Sequence, residues 1–302
     1  MQMKSQIVAL FLIAILLAAS SAGAKTKSLL RLNLQKGNSF EMAITTTSKM
    51  DQEMNGKKLK NEQKLFMVFD YQVLDKLPNK NYLIEYSILK MKMDMSMNGY
   101  KETFDSESSD TTNHMNTAVK GFISTKLKIE MTPKGKVERV EGLEQYDKIF
   151  SENSRLAQSI PMLTNEKSLG SFVNQIFNYF PEAKVGTGDK WTSTSTLPFL
   201  MDLETKMNFE VAALERNSVR LKVASDVNFD APLENVGMKI DMKMTGTQNG
   251  TMTIDSSDGW IRSSDLTQNF DMKMKMKDQK TGEDVVIPMV VNSEIKLTSI
   301  KK

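Results

Sequence analysis

The sequence predicts a mainly β protein: two related antiparallel β halves, of the open-barrel or curved-sheet type, joined by a helical segment. Three observations carry that prediction. Runs with strict apolar–polar alternation recur along most of the chain, and a period of two places alternate side chains on opposite faces of a strand. Turn signals such as Asn98-Gly99 punctuate those runs. One stretch alone, 165–180, has a clear helical period.

Ahead of the fold, residues 1–24 read as a secretory signal peptide. Lys4 supplies a positive start, Ile7 to Ala19 is almost purely apolar, and Ala22-Gly23-Ala24 offers a small-x-small cleavage site. The apolar run is too short to anchor a protein across a bilayer. A mature chain is expected from Lys25, exported to the periplasm or beyond, with no transmembrane segment. Cysteine is absent, which removes disulfides and any lipid-anchored cysteine and suits an oxidising compartment. Lys+Arg 40 against Asp+Glu 37 gives +3, or +2 once Lys4 leaves with the signal. Nucleic acid is not an expected partner, because its binding needs a concentrated basic footprint.

The N-terminal β half spans 25–142. Phe40 to Thr47 is a strand, and Met54-Asn55-Gly56-Lys57 a hairpin tip. Lys64 to Leu77 is a strand rich in Phe, Val and Tyr, which Pro78-Asn79-Lys80-Asn81 turns back into Tyr82 to Met97. Ser106 to Asn116 is polar and reads as a loop. Leu127 to Met131, Thr132-Pro133-Lys134-Gly135 and Lys136 to Val140 form a closing hairpin.

The helical segment spans 143–182. Leu143 to Leu163 reads as a shorter helix ending near Pro161. In the next helix Leu169, Phe172, Val173, Ile176, Phe177 and Phe180 form one stripe. Asn165 can cap its start, and Phe180-Pro181 stops it, since the residue before proline disfavours the α region. Such a stripe needs a β surface to pack on.

The C-terminal β half spans 183–302. Strands are expected at Trp191 to Leu197, Leu203 to Leu214, Val219 to Phe229 and Val236 to Met244. A turn follows at Gln248-Asn249-Gly250-Thr251. Met252 to Asp255 and Gly259 to Ser263 pair across Ser256-Ser257-Asp258. Leu266 to Lys277 and Val285 to Ser299 finish the chain around Lys280-Thr281-Gly282. The halves look repeated. Gly37-Asn38-Ser39-Phe40 matches Gly188-Asp189-Lys190-Trp191, and the run Met67, Phe69, Asp70, Leu74, Asp75 matches Met207, Phe209, Glu210, Leu214, Glu215.

Three strands share an unusual composition. Met91, Met93, Met95 and Met97 alternate with Lys92, Asp94 and Ser96. Met238, Ile240, Met242 and Met244 alternate with Lys239, Asp241 and Lys243, and Met272, Met274 and Met276 with Lys273, Lys275 and Lys277. Each methionine set lies on one face of its strand. One reading is an ordinary core facing the helix stripe. Another is an adaptable apolar ligand surface, because methionine is flexible and polarizable and is over-used where varied apolar partners must be accepted. On the second reading Met91, Met93, Met95, Met238, Met242, Met244, Met272, Met274 and Met276, with Phe172 and Phe177, are the candidate ligand-binding residues. Thioethers also suit copper(I), but strand alternation already explains the spacing. The lysine faces could touch an anionic membrane, although solvent cover is the ordinary role of such residues.

Catalytic signals are thin. His114 is the one histidine and lies in the polar loop. It cannot complete a zinc site without cysteine or a second histidine, and no nucleophile elbow or phosphate-binding glycine loop is present. No catalytic residue, metal ligand or cofactor is implied.

The Gly-x-x-aromatic strand starts, the Thr132-Pro133-Lys134-Gly135-Lys136-Val137 hairpin with Val140-Glu141-Gly142, and Ser257-Asp258-Gly259-Trp260 resemble an uncharacterised family of exported β-rich proteins common in Bacteroidetes. Many members of that family begin with a lipidated cysteine, which this chain lacks. At the level of fold alone the chain resembles periplasmic lipoprotein carriers whose curved sheet wraps an apolar helix. The family resemblance implies no site residues. The expected function is an exported, non-enzymatic protein that binds a lipid-like or other apolar ligand. A structural or protein-interaction module of the cell envelope with a filled core, and a hydrolase with an unrecognised site, stay open as alternatives. The partner is accordingly an apolar small molecule or an envelope protein.

Overall fold

The computed structural model describes residues 27–54, 56–153, 156–157, 160–198, 202–235, 238–277 and 282–302. The expected signal peptide (1–24) and the turn residues Asn55, Lys280 and Thr281 lie outside them. The described strands are β1 (Ser39–Met54), β2 (Lys57–Lys76), β3 (Tyr82–Met97), β4 (Tyr100–Asp105), β5 (Leu127–Met131) and β6 (Val137–Glu141), followed by β7 (Lys190–Pro198), β8 (Asp202–Leu214), β9 (Ser218–Asn235), β10 (Met238–Asp255), β11 (Ile261–Lys277) and β12 (Asp284–Lys301). The helices are α1 (His114–Phe122), α2 (Glu144–Glu152) and α3 (Glu166–Phe177), with a 3-10 turn at Pro161–Leu163.

All twelve strands form one curved, open antiparallel sheet in the order β6-β5-β3-β2-β1-β12-β11-β10-β9-β8-β7, with β4 paired to β3. The expected β class and antiparallel halves are therefore present. What joins the halves in space is a strand pairing at the centre: Phe40 of β1 lies opposite Lys301 of β12, and Gln52 opposite Met289.

Two expectations are corrected. The turn expected at Gln248–Thr251 lies inside β10, which runs unbroken against β9 and β11. Its glycines serve close approach instead of chain reversal. Gly246 faces Phe270 and Gly250 faces Leu266, and a Cβ on either would collide with the backbone oxygen of Asn269 or Asp265. Similarly, Gly259 to Ser263 and Leu266 to Lys277 are not separate strands, since Ile261–Lys277 is one. The second correction concerns the polar stretch 106–116. Its end is helical: the Asn113 side chain accepts from the Met115 N–H at 2.9 Å and caps α1, burying Met115, Ala118 and Val119. His114 opens that helix instead of lying in a loop. Helix thus extends beyond the expected 143–182 segment.

The repeat is legible in hydrogen bonds. At the start of β1, Gly37 N–H donates to Val73 O at 2.9 Å and Val73 N–H donates to Asn38 O at 2.8 Å. At the start of β7, Gly188 N–H donates to Val211 O at 2.8 Å and Val211 N–H donates to Asp189 O at 3.0 Å. The Asn38 and Asp189 side chains each accept from a backbone N–H three residues back, that of Gln35 or Gly186, at 3.0 Å. Register irregularities follow each valine, between Val73 and Asp75 and between Val211 and Ala213. Val73 is thus the counterpart of Val211, which displaces the sequence alignment of β2 on β8 by two residues and keeps the same face.

Helix α3 explains how the curved sheet holds its shape. β6 and β7 are the two ends of the strand order, and α3 packs on both. Its polar side chains serve the open edges. Asn174 Oδ1 accepts from the Val137 N–H at 2.6 Å, and Glu166 Oε1 from Val140 at 3.2 Å. Beyond the helix, Asn178 donates to the Thr194 carbonyl at 3.0 Å and accepts from the Ser193 hydroxyl at 2.8 Å. Asn165 caps the start as expected, accepting from Ser168 N–H at 2.9 Å. Within the curve, Leu169, Val173 and Phe177 are fully buried. Phe177 lies against Trp260 at 4.7 Å, and Trp260 stacks on Phe40 at 4.1 Å. The segment 28–34 covers the end of this core with Leu30, Leu32 and Leu34. It is tied by Ser28 to Val185, Leu32 to Pro133 and Asn33 to Asp258.

Candidate functional site

Strand alternation fixes which side chains share the inner face, the face that also carries the helices. The registers then line them up across the sheet. Gln63 lies opposite Ser48, Ser48 opposite Ser293, Ser293 opposite Gln268, Gln268 opposite Gln248, and Gln248 opposite Ser225. One uncharged polar row therefore crosses six adjacent strands. The Ser48 and Ser293 hydroxyls bond each other at 2.8 Å, and Gln268 Nε2 donates to Gln248 Oε1 at 2.6 Å. Ser225 donates to the Lys206 carbonyl at 2.7 Å. Two amides donate to sulfur: Gln63 to Met93 at 3.2 Å and Gln248 to Met207 at 3.5 Å.

This row divides the inner face. On the helix side lies the main core, with Phe40, Met42, Ile44, Met67, Phe69 and Tyr71 of β1 and β2. On the far side Ile240 and Met242 of β10 form a separate apolar cluster with Phe229 of β9 and Met274 and Met276 of β11.

The expected ligand-binding residues are accordingly split. Met91 and Met93 are fully buried in the main core, with Met95 packed against it. Phe172 and Phe177 belong there too, against Phe69 at 5.8 Å and Trp260 at 4.7 Å. Met242 and Met244 are buried, and Met272, Met274 and Met276 are half-buried. Met242 lies opposite Met274, and Met244 opposite Met272. Met238 begins β10 opposite Asn235; its side chain lies outside the described residues. Beyond the last β1–β12 pair, Gln52 with Met289, a cleft of about 530 Å³ opens. Its lining joins Gln52, Leu59, Met272 and Met289 of the inner face to residues of the opposite face, the charged Asp51, Glu53, Lys58, Lys60 and Asp271 among them.

The charges that alternate with the methionines of β11 lie on the opposite face. Lys275 and Lys277 reach Asp284 at 2.8 and 2.6 Å. Their hydrogen bonds and charges hold the Asp284 carboxyl at about 2, and Asp284 in turn, by its hydrogen bond and charge, pushes the Lys275 ammonium up. The inner face carries a different electrostatic feature, a group of tyrosines. The buried hydroxyls of Tyr71 and Tyr86 have no hydrogen-bond partner among the described residues, and their rings meet edge-on at 5.2 Å. Burial pushes both phenols well up. Among the described residues, no group of three His, Asp or Glu is placed to hold a metal ion.

The methionine faces were visible in the sequence, and the polar row was not. Its signal was present as glutamine or serine at inward positions of otherwise apolar alternations, for example Gln248 between Met244 and Met252. Only the registers show that six such positions fall in line.

No curated protein matches the chain. Solved structures similar to it include that of lipovitellin, titled for its lipid–protein interactions, at 11% identity and a TM-score of 0.47 over 89% of this chain and 25% of that one. The chain thus spans about a quarter of that protein's length. An outer-membrane channel from Pseudomonas putida F1 is similar at 8% identity and a TM-score of 0.23, over 89% of this chain and 97% of that one. OccK5 from Pseudomonas aeruginosa matches at 6% and 0.21, over 88% and 98%. The profile of a Family of unknown function (DUF6263) matches residues 79–261, well over half of the chain. The chain belongs to that family.

Proposed function

We propose that this is an exported, non-catalytic protein that holds an apolar molecule on the methionine-lined part of its inner face. The observation that carries the reading is the split of that face. Helix stripe and sheet core account for the apolar residues on one side of the polar row. The cluster of Ile240, Met242, Phe229, Met274 and Met276 on the other side is separate from that core, and Met272, the next inward residue of β11 after Met274, lines an open cleft. Methionine, with three rotatable bonds and a polarizable sulfur, suits a surface that adapts to its occupant. A core built for one packing favours Leu, Ile and Val. The cleft's volume also falls within the range of about 300–1,000 Å³ usual for small-molecule sites.

The test is extraction of protein purified gently from its native host, followed by mass spectrometry and by titration with diphenylhexatriene, a fluorescent hydrocarbon. A co-purified apolar molecule and saturable probe binding are expected. Met274→Asp is expected to weaken the probe at least about ten-fold, since a buried unpaired charge is costly. An empty extract with no probe binding would overturn the reading and leave a filled, methionine-rich core. Export itself is tested by intact mass: the native protein is expected to begin at Lys25, and a retained Met1 would overturn it.

A further inference from the structure

The polar row is the part of the inner face that an apolar site does not account for, and at its β2 end a weakly accepted donor lies beside an unpaired acceptor. On β2, Asn61 and Gln63 follow each other on the inner face, about 7 Å apart along the strand. Gln63 Nε2 donates to the Met93 thioether, a weak acceptor. The Asn61 side-chain oxygen is buried and has no donor among the described residues. A buried acceptor left unpaired costs free energy that an incoming donor recovers, and an amide on sulfur gains from an oxygen acceptor. Around this pair lie Met50, opposite Asn61, and Leu59, opposite Gln52. Leu59 and Gln52 already line the cleft with Met289 and Met272. Inward positions of β2 from Leu59 to Val73, of β1 from Phe40 to Gln52 and of β12 from Val285 to Ser299 bear no formal charge.

We infer that Asn61 and Gln63 form a headgroup subsite for a single-chain amphiphile whose uncharged head both donates and accepts a hydrogen bond. A primary amide or an alcohol meets that description. The chain of such a molecule runs past Met50 and Leu59 into the cleft at Met289 and Met272. A carboxylate head is selected against at this pair, because the inward positions of β1, β2 and β12 around it carry no cation to neutralise it once buried. This inference rests on the apolar-site reading and names the class of occupant.

The experiment displaces diphenylhexatriene from the full chain with dodecanamide, dodecanol, dodecanoate and dodecane at pH 8. Dodecanamide and dodecanol are expected to displace it at least about ten-fold more tightly than dodecane or dodecanoate, the effect of one or two recovered hydrogen bonds. In Gln63→Leu and in Asn61→Leu the preference for dodecanamide over dodecane is expected to vanish. Asn61→Leu should do so without lowering the melting temperature, because it removes an unpaired buried oxygen. Equal displacement by all four molecules, or tightest displacement by dodecanoate, would overturn the headgroup subsite while leaving the apolar site standing. No probe binding at all would overturn both.

Discussion

Helix α3 lets the two unpaired ends of the sheet share one partner, and the strength of that arrangement can be measured at two of its residues. Phe177 is fully buried between the sheet and Trp260, its ring 4.7 Å from the indole and 6.1 Å from Tyr71. Phe177→Ala removes a large core side chain and leaves a cavity, expected to cost about 3–5 kcal/mol. Asn174 faces the other way and accepts from the Val137 N–H at 2.6 Å. Asn174→Ala leaves that edge N–H without its acceptor, which is expected to cost about 1–3 kcal/mol. Asn174→Asp keeps an oxygen in place and should change stability by less than about 1 kcal/mol. Equilibrium urea unfolding followed by tryptophan fluorescence reads all three, and Trp260 reports directly on the Phe177 contact. A cost below about 1 kcal/mol for Phe177→Ala would refute the packing argument. Equal costs for Asn174→Asp and Asn174→Ala would show that the acceptor is irrelevant and that the helix does not serve the β6 edge.

Three further outcomes follow from single residues. Gly250→Ala places a methyl group against the Asp265 backbone oxygen and Leu266, so a loss of about 1–3 kcal/mol is expected in urea unfolding, and no loss would refute the close approach. Tyr86→Phe removes a buried hydroxyl that has no partner among the described residues; stability should hold or rise, and a drop of more than about 1 kcal/mol would show an unrecognised hydrogen bond. Burial alone would push the Asp255 carboxyl up, but hydrogen bonds from Ser257 and Arg262 outweigh it and hold the group at about 2. A carboxyl depressed on folding contributes stability that is present above its unfolded value near 4 and lost as pH falls towards 2. The urea midpoint should therefore drop across that window, and Arg262→Met should flatten the drop; an unchanged slope would refute the assignment.

Local periodicity carried much of the architecture. Alternation from Lys64 to Leu77 and from Leu266 to Lys277 located long strands, and the stripe from Leu169 to Phe180 with its Asn165 cap located α3 within a few residues. Asn249-Gly250 misled because the same dipeptide serves a turn or a close cross-strand approach, and only the partner strand decides which. Helix α1 was missed because its apolar stripe is short and follows a polar run. Strand order and register are set by contacts hundreds of residues apart, such as Phe40 with Lys301, and no local pattern encodes them. The candidate site was half legible for the same reason: methionine faces are local, whereas the alignment of Gln63, Ser48, Ser293, Gln268, Gln248 and Ser225 is a property of the assembled sheet.

The position of β12 has a consequence for how the chain is made. Synthesised last among the twelve strands, it lies at the centre of the sheet, between β1 and β11. While a ribosome still holds Asp284–Lys301, β1 and β11 both present open edges, and such edges recruit other chains. Closing the gap then joins residues at opposite ends of the sequence, and topologies dominated by such distant pairings fold slowly. A delay between synthesis and sheet closure is therefore built into the strand order, and any chaperone that holds the growing chain would have β1 and β11 to shield.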